Sequence, residues 1–410
     1  MAVPPHEANP ATPAFGDPAW GHTSAPQTPA LPTSAQQVPV PDGAYADSAA
    51  GFTAGLPARS IPAPDASAPD VTTSAGGGVT NLANPTPTRS AGSNLTGLAG
   101  TFAAIRTEIA KAVVGQEQAV NAALIGLITN GHILLEGVPG TAKTLLVRSL
   151  AAALAADFKR VQFTPDLMPG DLTGSLIYSS STGEFTFRPG PVFTNILLAD
   201  EINRTPPKTQ AALLEAMAEH QVSVDGQATA LPDPFLVVAT QNPIEYEGTY
   251  SLPEAQLDRF LMKVQMPLPD RNTELEMLRR HAGTFDPNDL TSAGISPVAN
   301  ATDVLTAREQ VKTVTVHEAI LEYIVELVRA TRTHPAVRVA VSPRGTTALL
   351  AICRAWAWLN GRTFVTPDDV KAFAVPALGH RMQLQPEAEL DGLTTEHVLS
   401  SILTSVPAPR

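Results

Sequence analysis

One eight-residue stretch constrains the fold of this 410-residue chain more than any other feature. It lies between the apolar run Ile133–Leu135, which predicts a buried strand, and Leu145–Leu150, which predicts a helix. Its residues are Gly137, Val138, Pro139, Gly140, Thr141, Ala142, Lys143 and Thr144. A strand, a glycine-rich loop, a Lys-Thr pair and a helix in this order are typical of a phosphate-binding loop. The stretch therefore predicts an α/β fold that binds a nucleotide.

The chemistry of such a loop follows from its residue types. Glycines let backbone N–H groups turn toward an anion, and the N-terminus of the following helix adds positive potential. Lys143 is placed to reach the β- and γ-phosphates, and the Thr144 hydroxyl to hold Mg²⁺. The usual pattern has glycine immediately before the lysine, where this chain has Ala142. A turn that binds no ligand is the alternative, and the rest of the chain weighs against it.

Two further strands are predicted to end in polar residues. Ile196–Ala199 reads as the third strand and is followed directly by Asp200 and Glu201. Both acids should lie at the carboxyl edge of the sheet, where α/β folds bind ligands. Asp200 is then placed to hold the hydration shell of Mg²⁺ and Glu201 to polarise a water, with two solvated acids as the alternative. The fourth strand, Phe235–Thr240, brings Asn242 to the same edge, where it could orient a water.

Other short patterns outline the rest of this region. Alternating residues around turn signals predict two hairpins, at 175–187 and 221–231. Thr205, before two prolines, is the expected N-cap of a helix, and Val264–Pro267 the expected fifth strand. Val114 lies in a Val-Val-Gly turn ahead of the first strand. It is a candidate wall for an adenine ring, and ordinary apolar packing is the alternative.

Composition and charge narrow the class of protein. The formal net charge of −12 argues against a generally basic nucleic-acid surface, although a local basic groove stays possible. A single cysteine allows no internal disulfide and fits a reducing compartment. No two of the nine histidines are three or four residues apart, so a histidine metal site is not expected. With no membrane-length apolar run and no signal-peptide pattern, we expect a cytoplasmic protein.

The two ends of the chain differ from the α/β region. Residues 1–98 are rich in Pro, Ala, Ser, Thr and Gly and contain no lysine, which predicts a disordered tail. A docking arm anchored by Trp20, Tyr45 and Phe52 is the alternative. Regular structure is expected from about Leu95. From about residue 301 the pattern is purely helical, with Ser342 and Thr366 as the expected N-caps of two helices.

Five motifs together point to one family. They are Gly-Val-Pro-Gly-Thr-Ala-Lys-Thr, Leu-Ala-Asp-Glu-Ile-Asn-Arg-Thr-Pro-Pro-Lys-Thr-Gln, Ala-Thr-Gln-Asn-Pro, Glu-Ala-Gln-Leu-Asp-Arg-Phe and Ser-Pro-Arg-Gly. As a set they resemble the MoxR family of AAA+ ATPases over roughly residues 100–405. In that family alanine before the Walker A lysine is usual, so Ala142 agrees with the resemblance.

The resemblance implies an architecture and a set of roles. It implies a nucleotide-binding α/β domain at 99–268, with a five-stranded parallel sheet and a helix-2 insert, then a linker at 269–300 and a helical lid at 301–410. It implies homo-oligomers, as hexameric rings, with ATP and Mg²⁺ at the subunit interfaces. The implied roles are Walker A for Lys143 and Thr144, Walker B for Asp200 and Glu201, sensor 1 for Asn242, arginine finger for Arg259 and sensor 2 for Arg344.

The arginines keep alternatives. Arg259 could pair with Asp258 or with another nearby acid of its own chain, Arg344 could be a solvated surface residue, and Arg204 could also act across the subunit interface.

Two classes of function remain open at this stage. Members of the family act as chaperone-like ATPases on protein clients, often with von Willebrand factor A partners, in maturing enzyme complexes or inserting metal cofactors. The alternative is a nucleic-acid motor, because related ATPases with the same insert include helicases. Hairpins that track nucleic acid should be basic, whereas those predicted here contain no lysine, so protein clients are favoured. A scaffold that hydrolyses little is disfavoured by the intact Glu201 and Asn242.

Overall fold

The computed structural model describes residues 95–181, 183–243, 249–283 and 285–409. The predicted tail lies outside these residues as far as residue 94. The first described residue, Leu95, lies in a helix, in agreement with the regular structure expected from about this residue. Among the described residues, no helix is both long enough and apolar enough to cross a membrane.

The α/β part alternates helices and strands. Its elements in chain order are α1 Leu95–Ala110, α2 Glu117–Thr129, β1 Ile133–Glu136, α3 Lys143–Ala153, β2 Phe158–Gln162, α4 Pro169–Thr173, β3 Gly174–Ser179, β4 Glu184–Pro189, β5 Ile196–Asp200, α5 Pro207–Glu219, β6 Gln221–Val224, β7 Gln227–Ala230, β8 Leu236–Gln241, α6 Glu254–Leu257 and β9 Met262–Gln265. A 3₁₀ turn, Ile202–Arg204, joins β5 to α5.

Five of these strands form one parallel sheet in the order β2-β5-β8-β1-β9, which confirms the predicted five-stranded sheet. Successive side chains of a strand enter two different apolar clusters. Leu134 and Leu197 lie in one cluster, and Ile133 and Leu198 lie in the other. Both faces of the sheet are therefore covered, which explains why its strands read as continuous apolar runs. All five strands have their carboxyl ends at the same edge.

Two antiparallel hairpins lie outside that sheet, as the sequence predicts. β3 pairs with β4 from Gly174 opposite Pro189 to Ser179 opposite Glu184, and β6 pairs with β7. In the second hairpin, Asp225 and Gly226 have φ values of 51° and 76°. Two consecutive residues in the left-handed region make the type I′ turn that suits the twist of a hairpin.

Thr205 is not the N-cap of α5, so that prediction is wrong. Pro206 occupies the cap position and the helix begins at Pro207. The Thr205 side chain is buried, and its hydroxyl donates to the Thr164 carbonyl oxygen at 2.9 Å. This contact directs the side chain toward the segment after β2 and not toward the N–H groups of the first turn of α5, to which a cap must accept.

The remaining elements are mostly helical. They are α7 Arg271–His281, α8 Ala301–Lys312, α9 Glu318–Thr333, β10 Val337–Val339, α10 Pro343–Leu359, α11 Pro367–Leu378, β11 Gln383–Leu384, α12 Pro386–Leu390 and α13 Thr395–Ser405. β10 and β11 form a short antiparallel pair, so the region after residue 301 is not purely helical as expected. Two- and three-residue strands carry too little periodicity to be recognised in a sequence. The predicted cap at Thr366 is confirmed, with Asp369 completing a capping box.

The helical part packs on α1 and α2 rather than on the strands alone. Phe102 of α1 and Trp358 of α10 are buried and meet edge to face, with ring centroids 5.3 Å apart. Both belong to an apolar cluster that runs from one face of the sheet through α1 and α2 into the last helices. The α/β part and the helices after residue 301 therefore share one core.

His132, just before β1, is a buried titratable group that contacts the other apolar cluster, to which Met217 and Val237 belong. Its Nδ1 accepts from the Val237 N–H at 3.0 Å, so its Nε2 carries the proton and donates to the Met217 carbonyl oxygen at 3.1 Å. Burial is the main cause that lowers the pKa of His132, to about 4, with a smaller contribution from the nearby His220. The folded protein therefore holds a neutral imidazole over a pH range in which the unfolded chain binds a proton.

We predict that the free energy of unfolding falls as the pH falls from about 6.5 toward about 4. The unfolded state takes up a proton there that the folded state does not, so His132 contributes a slope of roughly 1.4 kcal/mol per pH unit. His132→Gln should lower stability at pH 7 but flatten this slope, as measured by denaturant unfolding at pH 7, 6 and 5. The exposed His397→Gln is the control. A variant slope equal to that of the wild type would show that His132 does not contribute.

Candidate nucleotide-binding site

The phosphate loop joins β1 to α3, and close backbone packing explains its composition. A Cβ on Gly137 would lie 2.6 Å from the Met266 carbonyl oxygen at the end of β9, so only glycine fits there. Gly140 and Ala142 have φ values of 87° and 64°. The left-handed conformation at Ala142 costs about 1 kcal/mol and explains why the usual pattern has glycine at this position. The Nζ of Lys143 donates to the Gly137 carbonyl oxygen, which folds the side chain back over the loop.

The two acids predicted at the sheet edge are fixed by one hydroxyl group. Asp200 is the last residue of β5, and Glu201 follows in the left-handed conformation with φ of 57°. Thr240 of the neighbouring strand β8 donates to Oδ1 of Asp200 at 2.6 Å and accepts from the N–H of Glu201 at 2.9 Å. Sequence reasoning gave Thr240 no role. The available signal was its position two residues before Asn242, on the strand next to the acids.

Each acid carries an arginine in this structure. Arg160 of β2 contacts Oδ2 of Asp200 through Nη2 at 2.6 Å and through Nε at 3.1 Å. Arg204 of the 3₁₀ turn contacts Oε2 of Glu201 at 3.0 Å. Arg160 was missed by sequence reasoning. β2 is the edge strand beside β5 and its Gln162 is in register with Asp200, so a cation two residues earlier points to the same face.

These residues line one cleft at the carboxyl edge of the sheet. The structure brings the loop residues 138–145 together with the two acids and with Asn242, which is almost completely buried. Arg160 and Thr240 line the same cleft. The cleft thus combines backbone N–H groups at a helix N-terminus and a lysine with two carboxylates and an amide, a set suited to a polyphosphate and to activation of a water.

An apolar pocket continues from the phosphate loop. It shares Gly140, Thr141, Ala142 and Leu145 with the cleft, and Val114 lies in its wall as the sequence predicts. Met277, His281 and Phe285 also line the pocket, from the predicted linker at 269–300. A pocket of this lining next to a phosphate loop suits a flat base. The contribution of α7 had no sequence signal, because it depends on where that helix folds back.

α7 is held at this position by backbone contacts to the end of α1. The Arg280 guanidinium donates to the carbonyl oxygens of Ala110 and Lys111 at 2.8 Å and 2.7 Å. The rings of His281 and Phe285 meet edge to face, with centroids 5.2 Å apart. These contacts fix the part of the pocket that α7 and Phe285 contribute.

Arg259 and Arg344 are not brought into the cleft. Arg259 is exposed after α6, and its Nη1 donates to the Leu214 carbonyl oxygen at 2.6 Å. Asp258 pairs with Arg381 at 2.8 Å, so the alternative in which Arg259 pairs with Asp258 is not what the structure has. Arg344 is exposed at the start of α10, and among the residues that the structure describes its guanidinium has no hydrogen bond or ion pair. Neither arginine lines the nucleotide cleft of its own subunit.

The donor set at the cleft can be compared with the needs of Mg²⁺. Thr144 offers a hydroxyl and Asp200 a carboxylate, both lining the cleft. In the described part of the chain, no three His, Cys, Asp or Glu side chains cluster as a metal site. Mg²⁺ prefers oxygen ligands, keeps several waters and takes the rest from a substrate phosphate, so these two groups fit it.

Comparison with known proteins agrees with this geometry. Residues 132–262 match the model of the ATPase family associated with various cellular activities, and residues 329–402 match the AAA lid domain. These matches and the cleft define an AAA+ ATPase with a helical lid.

Individual relatives narrow the class further. The chain is 49% identical over 301 residues to YeaC of Bacillus subtilis, which covers 73% of this chain and 92% of that protein. It is 41% identical over 312 residues to the chaperone MoxR1 of Mycobacterium tuberculosis, covering 74% of this chain and 81% of that one. A crystal structure of an ATPase from Cytophaga hutchinsonii matches with a TM-score of 0.71 and 42% identity, over 77% of this chain and 97% of that one. The chain belongs to the MoxR family of AAA+ ATPases, and it is accordingly a nucleotide-binding, ATP-hydrolysing enzyme of the chaperone-like type.

The predicted role of Asp200 in binding Mg²⁺ can be tested through Arg160. The guanidinium competes with a cation for the same carboxylate oxygen, so Arg160→Gln should lower the Mg²⁺ concentration that half-saturates binding of an ATP analogue. We expect a change of up to about fivefold, because a partly exposed ion pair contributes roughly 0.2–1 kcal/mol. Calorimetric titrations at increasing Mg²⁺ measure it. Lys159→Gln on the same strand, whose Nζ bonds the Phe193 carbonyl oxygen, is the matched control. A higher Mg²⁺ requirement in Arg160→Gln would contradict the competition.

Proposed function

We propose that this protein is a ring-forming chaperone-like ATPase that uses ATP hydrolysis with Mg²⁺ to remodel or mature protein complexes. The observation that carries the proposal is the cleft in which the phosphate loop, Asp200, Glu201 and Asn242 meet at the carboxyl edge of the sheet. We assign the α/β domain to residues 99–268, the linker to 269–300 and the lid to 301–410, after a tail at 1–98. The single cysteine supports a cytoplasmic location as part of the proposal.

Within one subunit, the residues of the site have different roles in binding and hydrolysis. The phosphates are bound by the loop Gly137, Val138, Pro139, Gly140, Thr141, Ala142, Lys143 and Thr144. Val114 contacts the base. Lys143 exchanges the Gly137 carbonyl oxygen for phosphate oxygens, and Thr144 and Asp200 hold Mg²⁺, which supplies positive charge to the transferred phosphoryl group. Glu201 polarises the attacking water, with Asn242 orienting it. Arg204 must leave Glu201 before that carboxylate can accept a proton.

Two arginines complete the site from outside the cleft. We propose that Arg259 reaches the γ-phosphate bound by the neighbouring subunit of a homo-oligomeric ring, for which a hexamer is the expected size. Its exposure and its single backbone contact support this, because it is not committed to an ion pair in the described chain. Arg344 senses the γ-phosphate of its own subunit when the lid closes. Arg204, which now holds Glu201, could take part across the same interface.

The client class is argued from the β3–β4 hairpin. Its exposed apolar side chains include Phe185, which is 68% exposed, and Tyr178, which is 57% exposed. The two are in register across the strands, and their ring centroids are 5.3 Å apart. An uncovered aromatic pair suits contact with a polypeptide. The charged residues of the hairpin are one cation, Arg188 near its base, and one acid, Glu184, which is not the basic surface that a nucleic-acid backbone requires.

Two narrower features belong to the same proposal. A von Willebrand factor A domain protein is the expected partner, and insertion of a metal cofactor into an enzyme is one form of maturation that such an ATPase could drive. A motor acting on nucleic acid is the alternative. The residues of the β3–β4 hairpin distinguish a protein client from a nucleic-acid substrate.

We predict that two inactive variants restore activity when mixed. Arg259→Ala should bind ATP but hydrolyse it slowly, because an arginine finger contributes about 10³–10⁵ in turnover. Lys143→Ala should not bind ATP but keeps its finger. In mixed rings, an Arg259→Ala subunit can receive the finger of a Lys143→Ala neighbour. ATPase rates across mixing ratios at fixed total protein, with subunit exchange verified by fluorescence, should exceed both parents. If every ratio stays at the parental rates, Arg259 does not act in trans.

We predict that the hairpin contacts protein clients in the ATP-bound state. A photoreactive phenylalanine analogue is placed at position 185 in the Glu201→Gln variant, which should bind ATP and hydrolyse it far more slowly. Ultraviolet irradiation of cells should give protease-sensitive adducts that depend on intact Lys143. The same analogue at Leu390, an exposed apolar residue of the lid, is the matched control. Nuclease-sensitive adducts at position 185 would instead favour the nucleic-acid alternative.

A further inference from the structure

We infer that Asp258 and Arg381 form a lock that positions Arg259 and Arg344 together, so that the arginine offered to the neighbour and the arginine of the subunit's own lid act as one unit. This inference rests on the proposed function, which gives those two arginines their roles. Arg381 is here a positioning residue, because it touches neither nucleotide nor reacting atoms. In the sequence analysis, Arg381 had no role and Asp258 was considered only as an alternative partner of Arg259.

The guanidinium of Arg381 is buried and fully engaged. Its side chain is 3% exposed, and Nε donates to Oδ1 of Asp258 at 2.8 Å. Nη2 donates to the Phe260 carbonyl oxygen at 2.6 Å, and Nη1 donates to that of Leu261 at 3.1 Å. Nη1 also donates to the Ala377 carbonyl oxygen of α11. A buried cation with this many partners has one available position, and Asp258 is its counter-charge.

These contacts fix the residues immediately before and after Arg259 in the chain. The backbone oxygen of Asp258 accepts from Nη2 of Arg381 at 3.3 Å, and the Phe260 oxygen accepts from the same nitrogen. The residues immediately before and after Arg259 are thus fixed by a side chain of the lid. A shift of the lid must displace the backbone from which the Arg259 side chain extends.

The same carboxylate fixes the start of the helix that carries Arg344. Ser342 occupies the N-cap position of α10, as the sequence predicts, but its hydroxyl donates to Oδ2 of Asp258 at 3.0 Å and does not cap the helix. The first turn of α10 also packs on the lock directly. A Cβ on Gly345 would lie 2.4 Å from Cγ1 of Val341 and 3.0 Å from Cδ of Arg381. Arg344 therefore starts from a helix end held by Asp258 and Arg381.

A second ion pair joins the lid to the α/β domain and gives a matched comparison. Arg308 of α8 contacts Asp233, ahead of β8, at 2.6 Å. This pair links the same two parts of the chain, yet it contacts neither the Asp258–Phe260 segment nor the first turn of α10. Removing either pair weakens a lid contact, but only the lock should change how the two arginines act.

The test uses the variant Asp258→Asn, which keeps the shape of the side chain and removes its charge. One readout reports on the variant's own nucleotide site (in cis), and the other reports on the site of a neighbouring subunit (in trans). The cis readout is the ratio of the dissociation constants of ADP and a non-hydrolysable ATP analogue, determined by calorimetry. The trans readout is the ATPase rate recovered when the variant donates its finger to Arg259→Ala subunits. Both should fall at least about fivefold, the lower end of ordinary coupling between sites. Asp233→Asn should keep both near the wild-type values.

Several outcomes would overturn the lock. The first is that Asp258→Asn folds but changes only one readout or neither. The second is that Asp233→Asn lowers both readouts as much as Asp258→Asn does. If Asp258→Asn does not fold, Ser342→Ala decides, because it removes one hydrogen bond and no charge. A smaller decrease in both readouts then supports the lock, and a decrease in one or none overturns it.

The parent variants separate this inference from the proposed function. Arg344→Ala and Arg259→Ala are measured first. If they leave the ADP-to-analogue ratio and the ATPase rate unchanged, the proposed roles themselves fail. If they change these quantities while the Asp258 and Ser342 variants do not, the roles stand and the lock fails.

Discussion

The parallel sheet is the constraint on which the rest of the structure depends. Because five strands run in one direction with both faces buried, their polar ends must leave the core at a single edge. Glu136, Asp200 and Gln241 end three adjacent strands, and the phosphate loop and Asn242 follow directly. The cleft is thus a consequence of topology. Residues far apart in the chain meet there because no other edge is open to them.

Electrostatics explains why the cleft stays ordered. Two carboxylates at one sheet edge would repel each other, and this structure offsets each with an arginine from an adjacent element. Arg160 comes from the neighbouring strand and Arg204 from the turn after the acids, while Thr240 fixes both acids through one hydroxyl. Both arginines are partly exposed, so the pairs are easily exchanged for other ligands. Stable geometry and exchangeable charge are the combination that a hydrolytic site needs.

The parts of this arrangement that sequence can predict are those with local signals. Apolar runs identify the strands, Asp225-Gly226 identifies a hairpin turn, and glycines at close backbone contacts identify the phosphate loop. The N-cap predicted at Thr205 is wrong because a hydrogen bond to the distant Thr164 carbonyl oxygen orients its side chain. Arg160 is 40 residues from Asp200, and Arg381 is 123 residues from Asp258. No pattern near these arginines in the chain indicates their partners. The pocket wall at Met277 and Phe285 depends in the same way on how α7 folds back.

The β3–β4 hairpin shows how an element can be well placed and yet incomplete. An isolated two-stranded hairpin is marginally stable in water, and this one is fixed only at its base. A Cβ on Gly190 would lie 2.1 Å from the Leu172 carbonyl oxygen, so the two chain segments cross there in direct contact. Phe187 packs edge to face on Phe193 near the same end. Toward the tip, the rings of Tyr178 and Phe185 contact each other and stay more than half exposed. Their apolar surface would gain most from a partner, since covering it contributes about 25 cal/mol per Å². The hairpin is therefore anchored where it joins the ATPase domain and left uncovered where a client would bind.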